Sequence, residues 1–462
     1  MPVVRQWHRS AVFALAAGTL VLAWATHVAI GGIVGGFGNR AVGGVMIDAG
    51  GNVRVATPEE QRDFAALVDA NTDPIRDGFD KAVDLRVVSL SALRRSVEDA
   101  IENHREISDE LEYLGGLQRI DYVWADPDNN DVCIAGPAEP WKVSDDGSVV
   151  GTRSGLSPLR LVDLLVAFQS VEPARNGGIS CSIEPTSEGR HKLQTLLRGV
   201  RLRSGQSPAS LEPAMRQAFG PQMIKINGVG RSSRLARTMV AADFEMKRIA
   251  MGLAPSPIAS LPSYLSMAKN QLQSGNSNPR WWMACDYQPI ARDADKRVWK
   301  LSGNRVRTMT ETDLVDGDGN AKRGNRDDKM AQAWADRMTE SYDELAAAIP
   351  VFGDLENAMD LAVATTLIVQ ENLAEQAGMD LRWYTTTAAS LEPVQYPIPE
   401  SVDPQCSFIR GSNGWVVTAS GGVDISGFSV VENQTVQATL NEQKETFAST
   451  RPQSGLWWWN VR

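Results

Sequence analysis

The chain has 462 residues, of which 43% are hydrophobic and 22% charged, and its formal net charge is -10 at pH 7. This length is sufficient for two or three domains, and the composition is that of a folded protein rather than a disordered one. An acidic surface repels phosphate backbones, and no cluster of five or more Lys or Arg offsets the charge. The sequence therefore argues against nucleic-acid binding.

The first residues resemble an export signal. A basic start, Arg5 to Arg9, precedes an apolar run from Ala11 to Ala25 that ends in the small-x-small pattern Ala23-Trp24-Ala25. This order predicts a secretory signal peptide, residues 1–25. Weakly apolar residues continue to Gly36, so an uncleaved N-terminal membrane anchor is the alternative. In both cases we expect an exported protein, periplasmic, cell-surface or secreted, with membrane contact only through an uncleaved N-terminal segment.

An N-terminal α+β domain, residues 45–205, is predicted after a Gly-rich leader, residues 26–44. Alternating and helical apolar periodicities indicate its elements. In chain order these are a hairpin around Ala49–Asn52, helices at Pro58–Val68 and Leu90–His104, a hairpin joining Ile120–Trp124 to Val132–Ile134, a helix at Leu159–Phe168, a strand in Gly178–Pro185 and a helix capped by Ser187.

A C-terminal α+β domain, residues 206–430, is predicted after the polar stretch Arg201–Ser210. Its elements are a helix at Leu211–Phe219, a strand at Gln222–Gly228, a helix from Ser232, paired strands in Arg280–Ala291 and Arg297–Met309, a helix over Met330–Leu345, a buried helix over Leu355–Leu373 and a hairpin around Gly411–Gly414. A polar tail, residues 431–462, ends in Trp457-Trp458-Trp459. The predicted fold class is α+β, with mixed helices and antiparallel hairpins in two or three lobes.

One acidic loop lies between two strand-like segments. Asp126, Asp128 and Asn130 have the alternate spacing of calcium ligands, but Asp131 stands where a calcium loop needs Gly, and no Glu closes the loop. Pro127 and the asparagines favour a turn. We therefore interpret this segment as a hairpin turn.

A second acidic loop is a better candidate for calcium. Asp316, Asp318 and Asn320 again alternate, and Asp327 falls at position twelve. Ala321 replaces the usual Gly, and Asp-Gly repeats are also common hairpin turns. Calcium at these four residues is the single metal prediction, and no other cofactor is expected.

The four cysteines, Cys133, Cys181, Cys285 and Cys406, are too far apart for a zinc ribbon or thioredoxin motif. Export makes disulfides chemically possible. Cys133 and Cys181 lie in strand-like segments and form a candidate pair if those strands are neighbours. Buried free thiols are the alternative.

Catalytic templates are scarce. Beyond the export segment the only histidines are His104 and His191, and neither belongs to a metal-binding motif. A Gly-x-Ser-x-Gly motif and a Walker lysine motif are both missing from the sequence. The segment from Gly228 to Arg234 is interpreted as a strand-to-helix turn, with a serine as the cap of the helix.

Several segments resemble a known family. They are GGVMIDAGGNVR, LEYLGGLQRIDYVWADPDNNDVCIAGPAEPWKV, SCSIEPTSEG and VAADFEMKRIAMGL. They are similar to a family of exported planctomycete proteins that is catalogued as a domain of unknown function. The resemblance extends over about Val42 to Ile425, and Tyr113 to Trp141 is its most specific part. It implies export, but no reaction, cofactor or catalytic residue.

The leading hypothesis is an exported cell-envelope protein that is non-catalytic, with a binding or structural role. An envelope glycan or a protein is the expected partner. The alternative is a carboxylate-dependent hydrolase acting on an envelope polysaccharide or peptidoglycan, which needs only two suitably placed acids. A concave pocket holding two convergent carboxylates beside an aromatic platform would favour the hydrolase. The Trp457-Trp458-Trp459 triplet either packs on the body or forms an exposed binding surface.

Overall fold

A computed structural model describes most of the chain. The described ranges are 41–42, 45–47, 53–200, 208–268, 277–315, 321–323, 329–386, 396–404, 407–411, 414–417, 420–452 and 455–461. The predicted signal peptide, the leader up to residue 40 and the predicted calcium ligands Asp316, Asp318, Asn320 and Asp327 lie outside these ranges.

Helices account for much of the described chain. Their bounds are α1 Pro58–Ala70, α2 Leu90–Glu102, α3 Asp109–Glu112, α4 Leu161–Ala174, α5 Ser187–Gly199, α6 Glu212–Phe219, α7 Arg234–Ala250, α8 Tyr264–Ala268, α9 Lys329–Glu340, α10 Tyr342–Ala348, α11 Pro350–Gln370, α12 Leu373–Ala377, α13 Arg382–Thr385, α14 Gly427–Glu432 and α15 Leu440–Thr450.

The strands are mostly short. Their bounds are β1 Ala41–Val42, β2 Val45–Ile47, β3 Val53–Val55, β4 Val83–Ser89, β5 Tyr122–Asp126, β6 Asp131–Ala138, β7 Trp141–Val143, β8 Val149–Gly151, β9 Ile179–Pro185, β10 Gln222–Asn227, β11 Ser277–Asp286, β12 Ile290–Arg292, β13 Val298–Lys300, β14 Arg305–Val315, β15 Ala321–Arg323, β16 Ser401–Val402, β17 Phe408–Gly411, β18 Gly414–Val417, β19 Ser420–Ile425, β20 Gln434–Val436 and β21 Trp458–Asn460.

Two seven-stranded sheets organise the fold. The first has the order β15-β14-β11-β19-β9-β10-β16, and the second has the order β20-β12-β13-β5-β6-β4-β21. Only the pairs β11–β19 and β12–β20 are parallel within these sheets, and their other pairs are antiparallel. The prediction of an α+β fold rich in antiparallel pairs is therefore confirmed.

The predicted boundary at residues 205/206 does not separate the sheets. The first sheet joins β9 to β10 and β19, and the second joins β5 to β13. Both sheets thus take strands from both predicted domains. The predicted polar tail also belongs to the second sheet, because β20 pairs with β12 and β21 pairs with β4.

One of the two predicted serine caps is confirmed, and the other is displaced by one residue. Ser233 is the N-cap of α7 and accepts a hydrogen bond from the backbone of Ala236, as the strand-to-helix turn requires. The cap of α5 is Thr186 instead of Ser187, and its hydroxyl accepts from Gly189 N. Thr and Ser both cap helices well, so sequence alone did not separate the two neighbours.

Helix α11 lies at the centre of the molecule. All its residues from Val351 to Ile368 are buried. Its first half, including Phe352, belongs to the core beside the first sheet, and its second half, including Leu367, belongs to the core beside the second sheet. Among the described residues, no helix is long and apolar enough to cross a membrane.

Carboxylates on α11 are paired with buried arginines. Asp354 accepts a hydrogen bond of 2.6 Å from Arg234 on α7, which also forms an ion pair with Asp163 on α4. The negative charges of both carboxylates outweigh burial and raise the pKa of Arg234. Three helices are therefore joined by charges that cannot be left unpaired in the interior.

A second set of polar contacts surrounds Asp360. This carboxylate is fully buried and accepts hydrogen bonds from Ile120 N at 2.8 Å, from the Tyr287 hydroxyl at 2.6 Å and from Arg305 Nε at 3.0 Å. Arg305 also donates to Asp121 at 2.8 Å. These bonds attach α11 to the chain that enters β5 and to β14.

Glu356 provides a pH-dependent test of this arrangement. Burial, followed by the charge of Asp360, raises its pKa from 4.5 to about 7, although Arg119 lies 3.8 Å away. A raised carboxyl pKa means that the folded state binds the proton more tightly, so stability falls as pH rises from 4.5 to 7. Glu356→Gln should therefore raise the free energy of unfolding by about 3 kcal/mol at pH 8. At pH 4 the same substitution should leave the free energy of unfolding almost unchanged, because Glu356 is then mostly protonated in both states.

Urea unfolding at both pH values measures this difference. The control is Glu340→Gln, because Glu340 is exposed on α9. Equal effects of Glu356→Gln at pH 4 and pH 8 would contradict the prediction.

Candidate functional site

A cavity of about 450 Å³ lies beside the edge of the second sheet. It is formed by the ends of α1 and α2, the loops that follow them, α3 and the start of β21. Its lining contains acidic, basic and aromatic side chains: Asn71, Asp73, Arg76, Phe79, Ser96, Asp99, Ala100, Arg105, Glu106, Ile107, Ser108, Asp109, Glu110, Leu111, Trp457 and Trp458.

The end of α2 directs the chain around the cavity. Asn103 caps the helix, and its amide donates to the backbone and side chain of Asp99, both at 2.8 Å. His104 has φ 50°, a left-handed conformation that reverses the chain. Arg105 then forms an ion pair with Asp99. One helical turn and its cap thus place both charges at the cavity.

Helix α3 contributes two neighbouring carboxyl groups. Asp109 accepts a hydrogen bond of 2.7 Å from Asp73 N, and burial raises its pKa to about 6. Glu110 is only 3% exposed. Neither of its carboxylate oxygens accepts a hydrogen bond among the described residues, although Arg76 Nε lies 3.2 Å away. The cavity therefore contains a half-buried acid that titrates near neutrality and a buried carboxylate with unused hydrogen-bonding capacity.

Aromatic rings form one wall of the cavity. The rings of Phe79 and Trp458 have centroids 4.3 Å apart, and Trp457 stacks on Phe79 at 6.1 Å. Gly78 precedes Phe79 with φ 94°, and a Cβ at this position would lie 2.5 Å from the Trp458 ring. The loop approaches Trp458 this closely because residue 78 has no side chain.

Arg86 holds this wall in place. It is fully buried on β4, and its guanidinium donates to Asn460 Oδ1 at 2.9 Å, to Gly78 O at 2.7 Å and to Gly115 O. Burial lowers the pKa of Arg86 to about 10, which leaves it charged at neutral pH. A single cation therefore binds the loop before Phe79, the turn after α3 and strand β21.

The same guanidinium lies over two aromatic rings. Its central carbon is 4.9 Å from the ring centroids of both Phe79 and Trp458. Cation–π attraction strengthens when the cation is desolvated. The orientation of the aromatic wall is thus coupled to the hydrogen bonds of Arg86.

The geometry combines flat apolar faces with charged hydrogen-bonding groups in one concavity. Aromatic faces bind apolar ring surfaces, and carboxylates bind hydroxyl or ammonium donors. Such a cavity has the size of an ordinary small-molecule site. The cavity combines an aromatic platform with acidic groups, but Asp109 and Glu110 are successive residues of α3, and side chains at such positions of a helix do not face each other, so this pair does not supply the two convergent carboxylates that would favour the hydrolase.

The acidic loop at Asp126–Asp131 is a hairpin turn, as predicted. Asn130 has φ 50°, and Asp126 and Asp131 lie opposite each other in β5 and β6. Arg451 donates to Asp126 at 2.8 Å and to Asp131 at 2.6 Å. These carboxylates bind the Arg451 guanidinium and so hold the segment after α15.

The candidate cysteine pair is not joined. Cys133 lies in β6 of the second sheet and Cys181 in β9 of the first, and both are buried free thiols. The two strands are not neighbours in either sheet, which was the condition for the predicted pair. Cys285 is also free, and Cys406 lies outside the described residues.

The two histidines of the described residues belong to no metal site. His104 and His191 are both exposed. No group of three or more His, Cys, Asp or Glu residues that could hold a metal occurs among the described residues. The calcium prediction at Asp316, Asp318, Asn320 and Asp327 remains a prediction, because these residues are not described.

The cavity carboxylates were not identified from sequence. Asp109 and Glu110 belong to no recognised motif, and two of the rings in the same cavity, Trp457 and Trp458, are more than 300 positions away in the chain. The Trp triplet was the one available signal. The triplet was expected either to pack on the body or to form a binding surface, and it does both. Trp459 is buried in a core cluster, whereas Trp457 and Trp458 line the cavity.

Arg86→Met tests whether this cation holds the cavity wall. The substitution keeps a long apolar stem but leaves three acceptors without their charged donor, so we expect a loss of about 3 kcal/mol of stability. Hydrogen–deuterium exchange should become faster in Trp458–Asn460. Arg382→Met is the control, because Arg382 is 84% exposed in its pair with Asp380. Unchanged exchange in β21 would contradict the assignment.

The comparisons with known proteins cover a different part of the chain. Residues 181–264 match a family model described as a protein of unknown function, DUF1598. This span runs from β9 to the start of α8 and includes SCSIEPTSEG from Cys181 onward and all of VAADFEMKRIAMGL, but no cavity residue. No curated protein and no solved structure matches the chain. The match supports a domain of unknown function over residues 181–264.

Proposed function

We propose that this protein is an exported cell-envelope protein that binds a saccharide, without chemical conversion, in the cavity between α2, α3 and β21. The observation that carries this proposal is the cavity itself. It combines Trp457, Trp458 and Phe79 with carboxylates and arginines in a volume of about 450 Å³. A sugar ring presents an apolar face edged by hydroxyl groups, and both parts find complementary groups here.

The fixed aromatic wall and the free hydrogen-bonding capacity of Glu110 both support binding. The aromatic wall is fixed before any ligand arrives, because Arg86 holds the residues on both sides of it. A preformed site loses less conformational entropy on binding than a mobile one. Glu110 retains carboxylate oxygens that accept no hydrogen bond among the described residues. A ligand hydroxyl or ammonium group that reaches them would satisfy a buried acceptor.

Export is supported by the sequence of the first residues. The basic start and the apolar run up to Ala25 favour passage through a secretion pathway. Expression of the full chain in a bacterial host should yield a processed protein outside the cytoplasm, with Thr26 as its first residue. N-terminal sequencing after cell fractionation measures this. A protein that keeps Met1 and stays in the cytoplasmic fraction would contradict export.

Trp457→Ala tests the saccharide site. We expect the loss of the stacking surface to weaken binding of an envelope-type oligosaccharide about tenfold, measured by calorimetric titration. Leu456→Ala is the matched control, because Leu456 is 49% exposed beside the site and does not line the cavity. Equal affinities of the two variants, with unchanged melting temperatures, would refute the role of the aromatic wall.

Carboxylate-dependent hydrolysis of a saccharide is the second candidate function. One observation favours it: Asp109 has a pKa of about 6, as a general acid requires, and Glu110 lies next to it in the cavity. Product analysis of the same titrations separates the two functions. Non-catalytic binding predicts no new reducing ends. Release of reducing ends that stops in Asp109→Asn, with binding retained, would establish hydrolysis instead.

A further inference from the structure

The cavity contains more negative than positive charge. Its lining includes five carboxyl groups but only two arginines. Both arginines are already engaged, Arg105 with Asp99 and Arg76 with Glu110. The remaining cavity acids, Asp73, Glu106 and Asp109, form no ion pair among the described residues.

The acids also affect one another. After burial, the charges of Glu112, Asp73 and Glu110 contribute to the raised pKa of Asp109, whose main opposing interaction is the hydrogen bond from Asp73 N. A negative field that is not balanced by protein cations attracts a positively charged ligand and repels an anionic one. The buried Arg86 beside Phe79 and Trp458 adds one positive charge, so the five acids of the lining still outnumber the three nearby arginines.

Glu110 gives a second indication of the charge that the cavity favours in a ligand. It is 3% exposed, and Arg76 Nε at 3.2 Å makes no hydrogen bond to it. Arg76 itself is 68% exposed in its side chain, so it neutralises Glu110 from the solvent side. A compact ammonium group with several N–H donors is suited to carboxylates that still lack donors.

We propose that the cavity selects saccharides that carry a free, protonated amino group over neutral or acidic saccharides. The sugar ring lies against Trp457 and Trp458, and its ammonium group faces Asp109 and Glu110. N-acetylation removes the charge and adds an acetyl group on the acidic side, so it opposes binding. This inference rests on the proposed saccharide function and specifies its ligand class.

Calorimetric titration of the full protein at pH 7 and low salt tests the inference. The probes are a glucosamine trimer, an N-acetylglucosamine trimer and putrescine, a diamine without a sugar ring. We expect the glucosamine trimer to bind about tenfold more tightly than the acetylated trimer, as one charge-assisted hydrogen bond would provide. Raising the salt concentration should reduce this preference, since the attraction is between charges at an open cavity.

Asp109→Asn should lower the preference to about threefold or less, because it removes one charge of the site. Glu106→Gln provides a second variant on an exposed loop, with a smaller decrease in the same direction. Glu102→Gln is the matched control: Glu102 is exposed on α2 but does not line the cavity. A preference that is unchanged in Asp109→Asn would overturn the inference.

The three probes separate the two proposals. Equal affinity for both trimers overturns selection for the amine but leaves saccharide binding intact. Binding of putrescine alone overturns both, because the site would then recognise a cation without a sugar. No binding of any probe also overturns both.

Discussion

The buried carboxylates of α11 set the main constraint on this fold. A helix buried from Val351 to Ile368 would be stable with apolar residues alone, yet it carries Asp354, Glu356 and Asp360. Each charge needs a partner in the interior, and the partners come from α7, from β14 and from the chain before β5. Exchange of one partner for an apolar residue would leave an isolated charge, which costs more than the pair contributes. The relative placement of the two sheets is thereby fixed by polar geometry in addition to hydrophobic contact.

Two arginines also fix the packing at the edge of the second sheet through polar contacts. Arg86 and Arg451 lie on different faces of the region around β21: Arg86 over Trp458, and Arg451 over Trp459 at 5.2 Å. Consecutive residues of a strand point to opposite sides of the sheet. Trp458 and Trp459 therefore each contact an arginine, one on each side of β21. Arg451 connects to the hairpin acids, whereas Arg86 connects to the loops of the cavity. The aromatic wall of the candidate site is therefore supported by the sheet itself.

Local elements were predictable from sequence, and their assembly was not. The β5–β6 hairpin, α2, β9 and α7 follow from periodicity, turn residues and capping side chains, which act over fewer than about ten positions. The joining of β5 to β13, or of β4 to β21, depends on contacts between distant segments that leave no local pattern. For the same reason Asp126 and Asp131 were recognised as a turn, but their partner Arg451 was not. Asp109 and Glu110 lie between the predicted elements, and no local pattern connected them with Trp457.

The position of β21 determines when the candidate site comes into existence. Arg86 and Asn460, which bond to each other, are 374 positions apart in the chain. Contacts of such long range form late in folding, because the closure of a large loop must precede them. While the chain is being synthesised, α2 and α3 are made long before Trp457 and Trp458. An unfinished or C-terminally shortened chain thus presents the acidic half of the cavity without Trp457 and Trp458, and the complete cavity forms only in the fully folded protein.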